Sequence, residues 1–364
     1  MVHYDIPSLL LTNANRILNK LDELLLLLSS ESIDIVAVTE TWLSDEIPDS
    51  VVSINGYVVI RRDRITGIGG GVMCYISNRF FVRQLNLNTK NDQDFEILWI
   101  LIRPCLLPRP MSVIIVAVVY CPPWYCVEKC RDLTNYIIEC ADELSKKYSN
   151  PCLLLVGDFN SLDCTTLSRY LHLKQLVTCP TRGSNILDKI FTNNNALFST
   201  PFILAPLGRS DHCCVLLKPS CHQRIPVGRK TFCRRNLNTS SLDQIGYALA
   251  SINWTEMYKL DDVQSQTDFF YSVINSVIDT HAPVKEYVVK MNDKPWITPR
   301  FKELVAERNA AFKACDHVAY KRLRNQVNRL RLNLQRQFYC SHVDKPKKKE
   351  SAQLVEIHQT YLWH

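Results

Sequence analysis

The stretch Leu153-Leu154-Leu155-Val156-Gly157-Asp158-Phe159-Asn160-Ser161-Leu162-Asp163 (LLLVGDFNSLD) decides how this chain is read. Four apolar residues run straight into Gly-Asp-Phe-Asn. An unbroken apolar run suits a strand covered by protein on both faces. Side chains alternate across a strand, so Asp158 and Asn160 point one way and Phe159 the other. Taken alone the stretch supports two readings. It is either a turn in which Asp and Asn bond their own backbone, or the edge of a catalytic site.

Working outward, the same device recurs. Ile33–Val38 is a compact β-rich run that stops at Glu40, and Val113–Val119 ends at Tyr120. Leu9–Leu11 leads to Asn13 and Asn15, Asp188 sits inside the apolar stretch Ile186–Phe191, and Arg209-Ser210-Asp211-His212 stands just before Cys213–Leu217. Tyr57–Ile60, Gly71–Ile76, Ile97–Ile102 and Phe202–Leu204 also read as strands. Helical spacing covers Asn19–Ser30 and Arg131–Tyr148, where Leu133, Ile137, Ile138 and Leu144 recur among charged residues. Many strands with helices between them indicate an α/β or α+β domain over residues 1–219. Each polar residue has a plain alternative: Glu40 a helix-start acid, Asp188 a paired core acid, Tyr120 packing beside prolines, Ser-Asp-His a chance triplet. Their repetition at successive strand ends favours one shared cleft, because open α/β sheets bind ligands beyond strand ends.

Composition sets the bounds. With 364 residues, 46% hydrophobic and 22% charged, the chain can bury a sizeable core and is not a disordered sequence. Apolar runs such as Leu24–Leu28 are too short to span a bilayer, so no membrane partner is expected. The N-terminus has no basic region leading into an apolar core, so no secretory signal is expected. Fifteen cysteines are an odd count, and Cys74, Cys152, Cys213 and Cys214 lie in apolar strand-like runs. This fits free thiols in a reducing, intracellular setting, nucleus and cytoplasm. A zinc site from Cys121, Cys126, Cys130, Cys221 and His222 would lack the paired Cys-x-x-Cys spacing.

The net charge of +7 is unevenly placed: Arg300–Lys349 holds 14 Lys and Arg against 4 Asp and Glu, a local +10, leaving −3 for the remainder. A near-neutral body can keep acids for a metal while a basic tail meets a polyanion or is simply a solvated helix. The expected organisation is a polar linker at 220–240, a helical region at 241–343 and a basic, disordered end at 344–364. Within the helical region Leu242–Ala250 and Asp268–Thr280 read as helices, and Phe301–Phe338 as one long helix. Lys345–Lys349 has the weak pattern of a nuclear import signal.

The ordered series Asn13-Ala14, Thr39-Glu40-Thr41-Trp42-Leu43, Gly69-Gly70-Gly71-Val72, Val119-Tyr120, Gly157-Asp158-Phe159-Asn160, Ile186-Leu187-Asp188 and Ser210-Asp211-His212 resembles the endonuclease/exonuclease/phosphatase superfamily. Within it, NANRILNKLDELLLLLSSESIDIVAVTETWLSD (13–45) and CPTRGSNILDKIFTN (179–193) resemble the apurinic-endonuclease-like domain of non-LTR (LINE-type, jockey-like) retrotransposon polyproteins. KPWITPRFKELVAERNAAFKA (294–314) resembles the segment that precedes the reverse transcriptase there.

The resemblance implies a four-layered α/β sandwich of two packed mixed β-sheets flanked by helices, followed by a helical basic tail. It also implies divalent-metal hydrolysis of a DNA phosphodiester, nicking one strand and leaving a 3′-hydroxyl. The cofactor would be Mg²⁺, with Mn²⁺ able to substitute, since Mg²⁺ needs only one or two carboxylates plus water and phosphate. Glu40 would be the principal metal ligand, assisted by Asn13 and Asp211. Asp158 would activate the attacking water, with Asn160 bonding nucleophile or phosphate and Tyr120 donating to a phosphate oxygen. His212 would contact the scissile phosphate, held in tautomer by Asp188. Ser210 and the Thr178/Thr181 loop would support DNA contact or hold the contacting residues in place, and Asn15 would support substrate contact. DNA is the expected partner, with element RNA a further one for the basic tail.

There are departures from the pattern. Asn15 stands where many relatives carry Asp, and Lys189 follows Asp188 where a second apolar residue is usual. No reverse-transcriptase signature follows, so target-primed reverse transcription is not ascribed to this chain. Two other functions remain open at this point: a catalytically decayed nucleic-acid-binding relic, and a phosphodiesterase or phosphatase of the same superfamily acting on another phosphate ester.

Overall fold

A computed structural model describes residues 4–87, 94–220, 229–290 and 294–343. Contacts divide the chain into two compact units, residues 1–226 together with 292–364, and residues 227–291.

The larger unit is built on twelve strands: β1 (Leu9–Asn13), β2 (Ile35–Thr39), β3 (Tyr57–Arg62), β4 (Val72–Ser77), β5 (Phe81–Gln84), β6 (Glu96–Arg103), β7 (Ile114–Tyr120), β8 (Cys152–Asp158), β9 (Lys174–Gln175), β10 (Asp188–Thr192), β11 (Phe202–Leu204) and β12 (Cys214–Leu217). They form two six-stranded sheets, ordered β11-β12-β1-β2-β4-β3 and β5-β6-β7-β8-β10-β9. Each sheet contains one parallel pair, β1 with β2 and β7 with β8, and is otherwise antiparallel.

Strand alternation sorts the apolar side chains into three layers. Leu9, Leu11, Ile35, Ala37 and Cys74 of the first sheet meet Ile100, Val116, Leu154 and Val156 of the second in a central core. The opposite face of the first sheet (Leu10, Val36, Val38, Met73) is covered by α1 (Leu21–Ser30) through Leu24, Leu25 and Leu28. A single-turn helix, α2 (Asp49–Val52), buries Val52 in that layer. The outer face of the second sheet (Trp99, Ile115, Ala117, Leu155) is covered by α3 (Val127–Lys147) and α4 (Thr165–Tyr170), through Leu133, Ile137, Leu144 and Leu167. The result is the expected sandwich, helix on sheet on sheet on helix. Because both faces of each sheet are buried, the central strands are continuously apolar.

Gly157 is required by the closeness of β7 and β8. A Cβ at Gly157 would lie 1.8 Å from the Val119 carbonyl oxygen, which no real contact allows. The glycine therefore lets β8 pinch against β7 one residue before Asp158.

The basic region differs from the expected single helix. α7 (Pro299–Lys313) and α8 (His317–Val343) are separate. Cys315 takes a left-handed conformation (φ 55°), and Asp316 Oδ1 accepts from Ala319 N at 2.9 Å to start the second helix. The periodicity of apolar residues continues through the break, which is why the pattern alone suggested one helix. Both helices cluster with the sandwich. Phe301, Leu304, Val305, Leu323 and Val327 pack together with Leu26 of α1. Trp296 Nε1 and Gln335 Nε2 donate to Asp22 Oδ2 at 3.1 and 2.8 Å, and buried Arg308 pairs with buried Glu23.

The smaller unit contains β13 (Arg229–Arg235), α5 (Thr239–Ala250), α6 (Val263–His281) and β14 (Val284–Lys290), with β13 and β14 antiparallel. Asn238 and Asp262 cap the two helices by accepting from Ser241 N and Ser265 N. Residues 229–235, expected as linker, are thus a strand, and the α5–α6 segment separates from the α7–α8 segment with which it was grouped. Sequence periodicity reports which residues want burial, not which unit buries them. The expected basic end, 344–364, lies outside the described residues.

Three outcomes are expected. Gly157→Ala should cost about 3 kcal/mol or more of stability, because a neighbouring backbone must move. Gly246→Ala in α5, where the added methyl meets nothing within 4 Å, should leave the melting temperature unchanged or raise it. Arg308→Met should cost about 3–5 kcal/mol in a denaturant titration by leaving Glu23 buried without its cation.

Candidate active site

The two parallel pairs end at the same edge of the sandwich. Asn13 is opposite Thr39 at the end of β1–β2, and Tyr120 is opposite Asp158 at the end of β7–β8. The alternation that sends Leu9, Leu11, Val116, Val118, Leu154 and Val156 into the central core sends Asn13, Tyr120 and Asp158 to its mouth. Asp188, first residue of β10 and opposite Asp158, joins them.

One amide ties the sheets together there. Asn13 Nδ2 donates to Glu40 Oε1 and to Asp158 Oδ2, both at 2.9 Å, while Asn13 Oδ1 accepts from Asn15 N at 3.0 Å. Tyr120 OH donates to Glu40 Oε1 at 3.1 Å, and Trp42 Nε1 donates to Glu40 Oε2 at 3.3 Å. Glu40 does not reach this position by strand alternation. Its parity is that of Val36 and Val38, which face α1. A left-handed backbone (φ 50° at Glu40, 55° at Trp42) turns its side chain instead. The turn is stitched on both sides, by Arg16 N to Glu40 O and by Trp42 N to Gly70 O. Gly71 allows that approach, since a Cβ there would stand 2.5 Å from Thr41 Oγ1.

The second half of the site is a buried imidazole–carboxylate pair. His212 Nδ1 lies 2.8 Å from Asp188 Oδ2, leaving Nε2 as the ring nitrogen open to another partner. Thr181 Oγ1 accepts from the backbone N–H groups of Leu187 and Asp188, both at 3.1 Å. Ser210 Oγ donates to Asn13 O at 2.8 Å and accepts from His212 N at 3.3 Å. Thr181 and Ser210 are buried and hold the pair and β1 in place.

Asn160 leaves the strand with φ 43°; its N–H donates to Asp158 Oδ1 at 3.0 Å and its side-chain amide to Cys121 O at 2.9 Å. Asn15 is exposed. Asp211 is not drawn into these contacts: it is half exposed and paired with Arg182 at 2.7 Å. Lys189 extends from β10 to donate to Leu162 O at 3.3 Å. Trp42 was quoted in the sequence motif without a role; only the positive φ of its turn brings its indole to Glu40.

Electrostatics distinguish these groups. Burial pushes the Asp158 carboxyl up to about 6, with the charge of Asp188 adding to the effect and His212 opposing it. Burial works against a charged His212, but the bond and charge of Asp188 outweigh it and raise the imidazole. Burial and the Glu40 charge push the Tyr120 phenol far up, so it keeps its proton and remains a donor.

The donor set suits a hard cation. Carboxylate oxygens of Glu40, Asp158 and Asp188 gather at the mouth, with the Asn13 amide nitrogen donating to two of these groups. Asp158, Asp188 and His212 offer ligand atoms within 4.8 Å of one another, and Asp188 Oδ1 is buried with no hydrogen-bond partner. Of the three carboxylates at the mouth, Glu40 is partly exposed whereas Asp158 and Asp188 are buried. Thirteen cysteines of the described residues are free, and Cys121, Cys126 and Cys130 form no metal-binding group there. Cys221 and His222 lie outside those residues. No described helix is long and apolar enough to cross a membrane.

Residues 10–212 match the Endonuclease/Exonuclease/phosphatase family, and the chain belongs to that family, whose members are hydrolytic nucleases and phosphatases that use divalent metals. Similar solved structures include the endonuclease domain of TRAS1, a telomere-specific non-LTR retrotransposon, at 17% identity. That match covers 58% of this chain and 96% of the other, with a TM-score of 0.44. An AP endonuclease from Archaeoglobus fulgidus is 14% identical over 59% of this chain and 100% of the other, with a TM-score of 0.42. The Xenopus laevis APE2 catalytic domain is 17% identical over 59% and 92%, with a TM-score of 0.43. No curated protein matches the chain.

Replacing the bridging amide tests the charge balance of the mouth. Asn13→Asp should lower the melting temperature in chelator by several degrees, since a third carboxylate then faces Glu40 and Asp158. Added Mg²⁺ should raise it more than in the wild type.

Proposed function

We propose that this chain is a divalent-metal-dependent DNA endonuclease that nicks one strand and leaves a 3′-hydroxyl, as in target-site nicking by a non-LTR retrotransposon. The observation that supports it most is the bridge from Glu40 through Asn13 to Asp158. This joins the carboxylate of one sheet to that of the other, beside a buried His212–Asp188 pair.

Glu40 would hold Mg²⁺ or Mn²⁺, which supplies a Lewis acid for charge developing on the phosphate, with Asn13 fixing the direction of that carboxylate through its amide nitrogen. Asp211, engaged by Arg182, is left out of that set. Asp158 takes a proton from the attacking water; its raised pKa brings it near neutrality, where a general base works best. Asn160 fixes the carboxylate through its backbone N–H, so that one lobe keeps its direction. Protonated His212 presents Nε2 to a phosphate oxygen, with Asp188 holding the tautomer and balancing the charge. Tyr120 and Trp42 keep Glu40 oriented between them.

Wild-type protein with Mg²⁺ should convert supercoiled plasmid to the nicked circle, and the nick should prime extension by a DNA polymerase, which requires a 3′-hydroxyl. Glu40→Ala and Asp188→Asn should each slow nicking by roughly 10²–10⁴-fold without a matching loss of thermal stability, whereas His212→Ala should slow it similarly and also lower stability, since it leaves Asp188 buried without its partner. Folded wild-type protein that leaves the plasmid intact, or nicks that cannot be extended, would count against the proposal.

A further inference from the structure

The α7–α8 hairpin lies outside the 10–212 family match, yet it forms one wall of a groove beside the candidate active site. The groove encloses about 370 Å³ and is lined by Asn15, Arg16, Trp42 and Arg209 from the sandwich and by Arg331 and Leu332 from α8, among others. Two of these residues are shared with the site. Trp42 donates to Glu40, and Asn15 N donates to the bridging Asn13. Arg16 lies over the Trp42 ring, its guanidinium carbon 4.7 Å from the ring centroid.

The three arginines are free of direct carboxylate contact, although the charge of Arg331 is felt by the nearby Asp22. Among the described residues none of them is in salt-bridge contact with a carboxylate. Arg331 is the most telling, being only 6% exposed with an Nε that has no hydrogen-bond partner. Its single described bond runs from Nη1 to Gln335 Oε1 at 3.2 Å. Gln335 in turn donates to Asp22 Oδ2, as does Trp296, so Asp22 is met by neutral donors and Arg331 is positioned through Gln335. A buried guanidinium with an unused donor has a strong preference for an anion.

We infer that α8 completes a phosphate-binding groove in which Arg16, Arg209 and Arg331 hold backbone phosphates of duplex DNA adjoining the bond at the site. This rests on the reading of the chain as a DNA endonuclease and assigns the flanking hairpin a part in substrate binding. Trp296 helps to fix α8 beside the groove, since its ring packs against Phe338 and Tyr339 of α8 while its Nε1 donates to Asp22 of α1.

The test is binding of a short labelled duplex by the full chain in chelator, read by fluorescence anisotropy across a salt series. Leu332→Glu, at a position 52% exposed on α8, introduces a negative charge at the lip with little effect on folding and should weaken binding about five- to tenfold. Arg331→Gln should weaken it similarly and reduce the slope of log K against log salt by about 0.9, one phosphate contact. If Leu332→Glu and folded Arg331→Gln both bind within twofold of wild type with the same slope, the inference is overturned. Should Arg331→Gln fail to fold, Leu332→Glu alone decides. Wild-type nicking with unaffected α8 variants defeats this inference and keeps the endonuclease reading. Binding weakened by these variants in a protein that never nicks does the reverse.

Discussion

The Asn13 amide, held between Glu40 and Asp158, is the contact on which the rest of the site depends. It is also a contact between the two sheets, because Asn13 ends β1 and Asp158 ends β8. Two carboxylates brought this close would repel one another. A neutral amide with two N–H groups bonds both and adds no charge, and the remaining acceptor is met by Asn15 N. The apolar layer beneath, from Leu9 and Leu11 to Leu154 and Val156, sets the distance across which that one side chain can reach. Packing in the core and geometry at the mouth are therefore the same constraint.

A second consequence concerns the imidazole. Asp188 is fully buried, and a buried carboxylate is costly unless charge or hydrogen bonds meet it. His212 meets one oxygen, and the backbone N–H groups that lead into Asp188 are anchored on Thr181. Ser210 links His212 back to β1. The Ser-Asp-His triplet thus divides its labour: the serine fastens strands, the histidine faces the mouth, and the aspartate meets Arg182 at the surface.

The α7–α8 hairpin adds a constraint of its own. Asp22 and Glu23 lie on the buried side of α1, an unlikely place for two acids in an isolated sandwich. Trp296, Gln335 and Arg308 supply their partners. The acids on α1 and the donors on the hairpin are separated by more than 270 residues of chain, and each makes chemical sense only with the other present.

Much of the fold and part of the site were legible in the sequence. Apolar runs gave the central strands of both sheets, since a strand buried on both faces needs no alternation to be seen, but not the short edge strands β5 and β9. Repetition of polar residues at successive strand ends suggested one shared cleft, but that Asn13, Tyr120, Asp158 and Asp188 all lie on the core-facing side became clear only once the strands were paired. Glu40 did not follow even from pairing, because its position depends on a left-handed turn stitched by Gly70 and Arg16, and parity alone would have turned it toward α1. Asp211 and Ser210 were likewise undecided, for a triplet lists its neighbours along the chain and not across it. The break at Cys315 and the docking of α7–α8 on Asp22 and Glu23 were beyond local reading as well. By itself the sequence determined which residues seek the interior and which strand ends are polar, because these are local properties of side chains. Only the tertiary structure decided which of those ends meet, since that depends on long-range pairing, on a positive φ, and on buried charges finding partners far away in the chain.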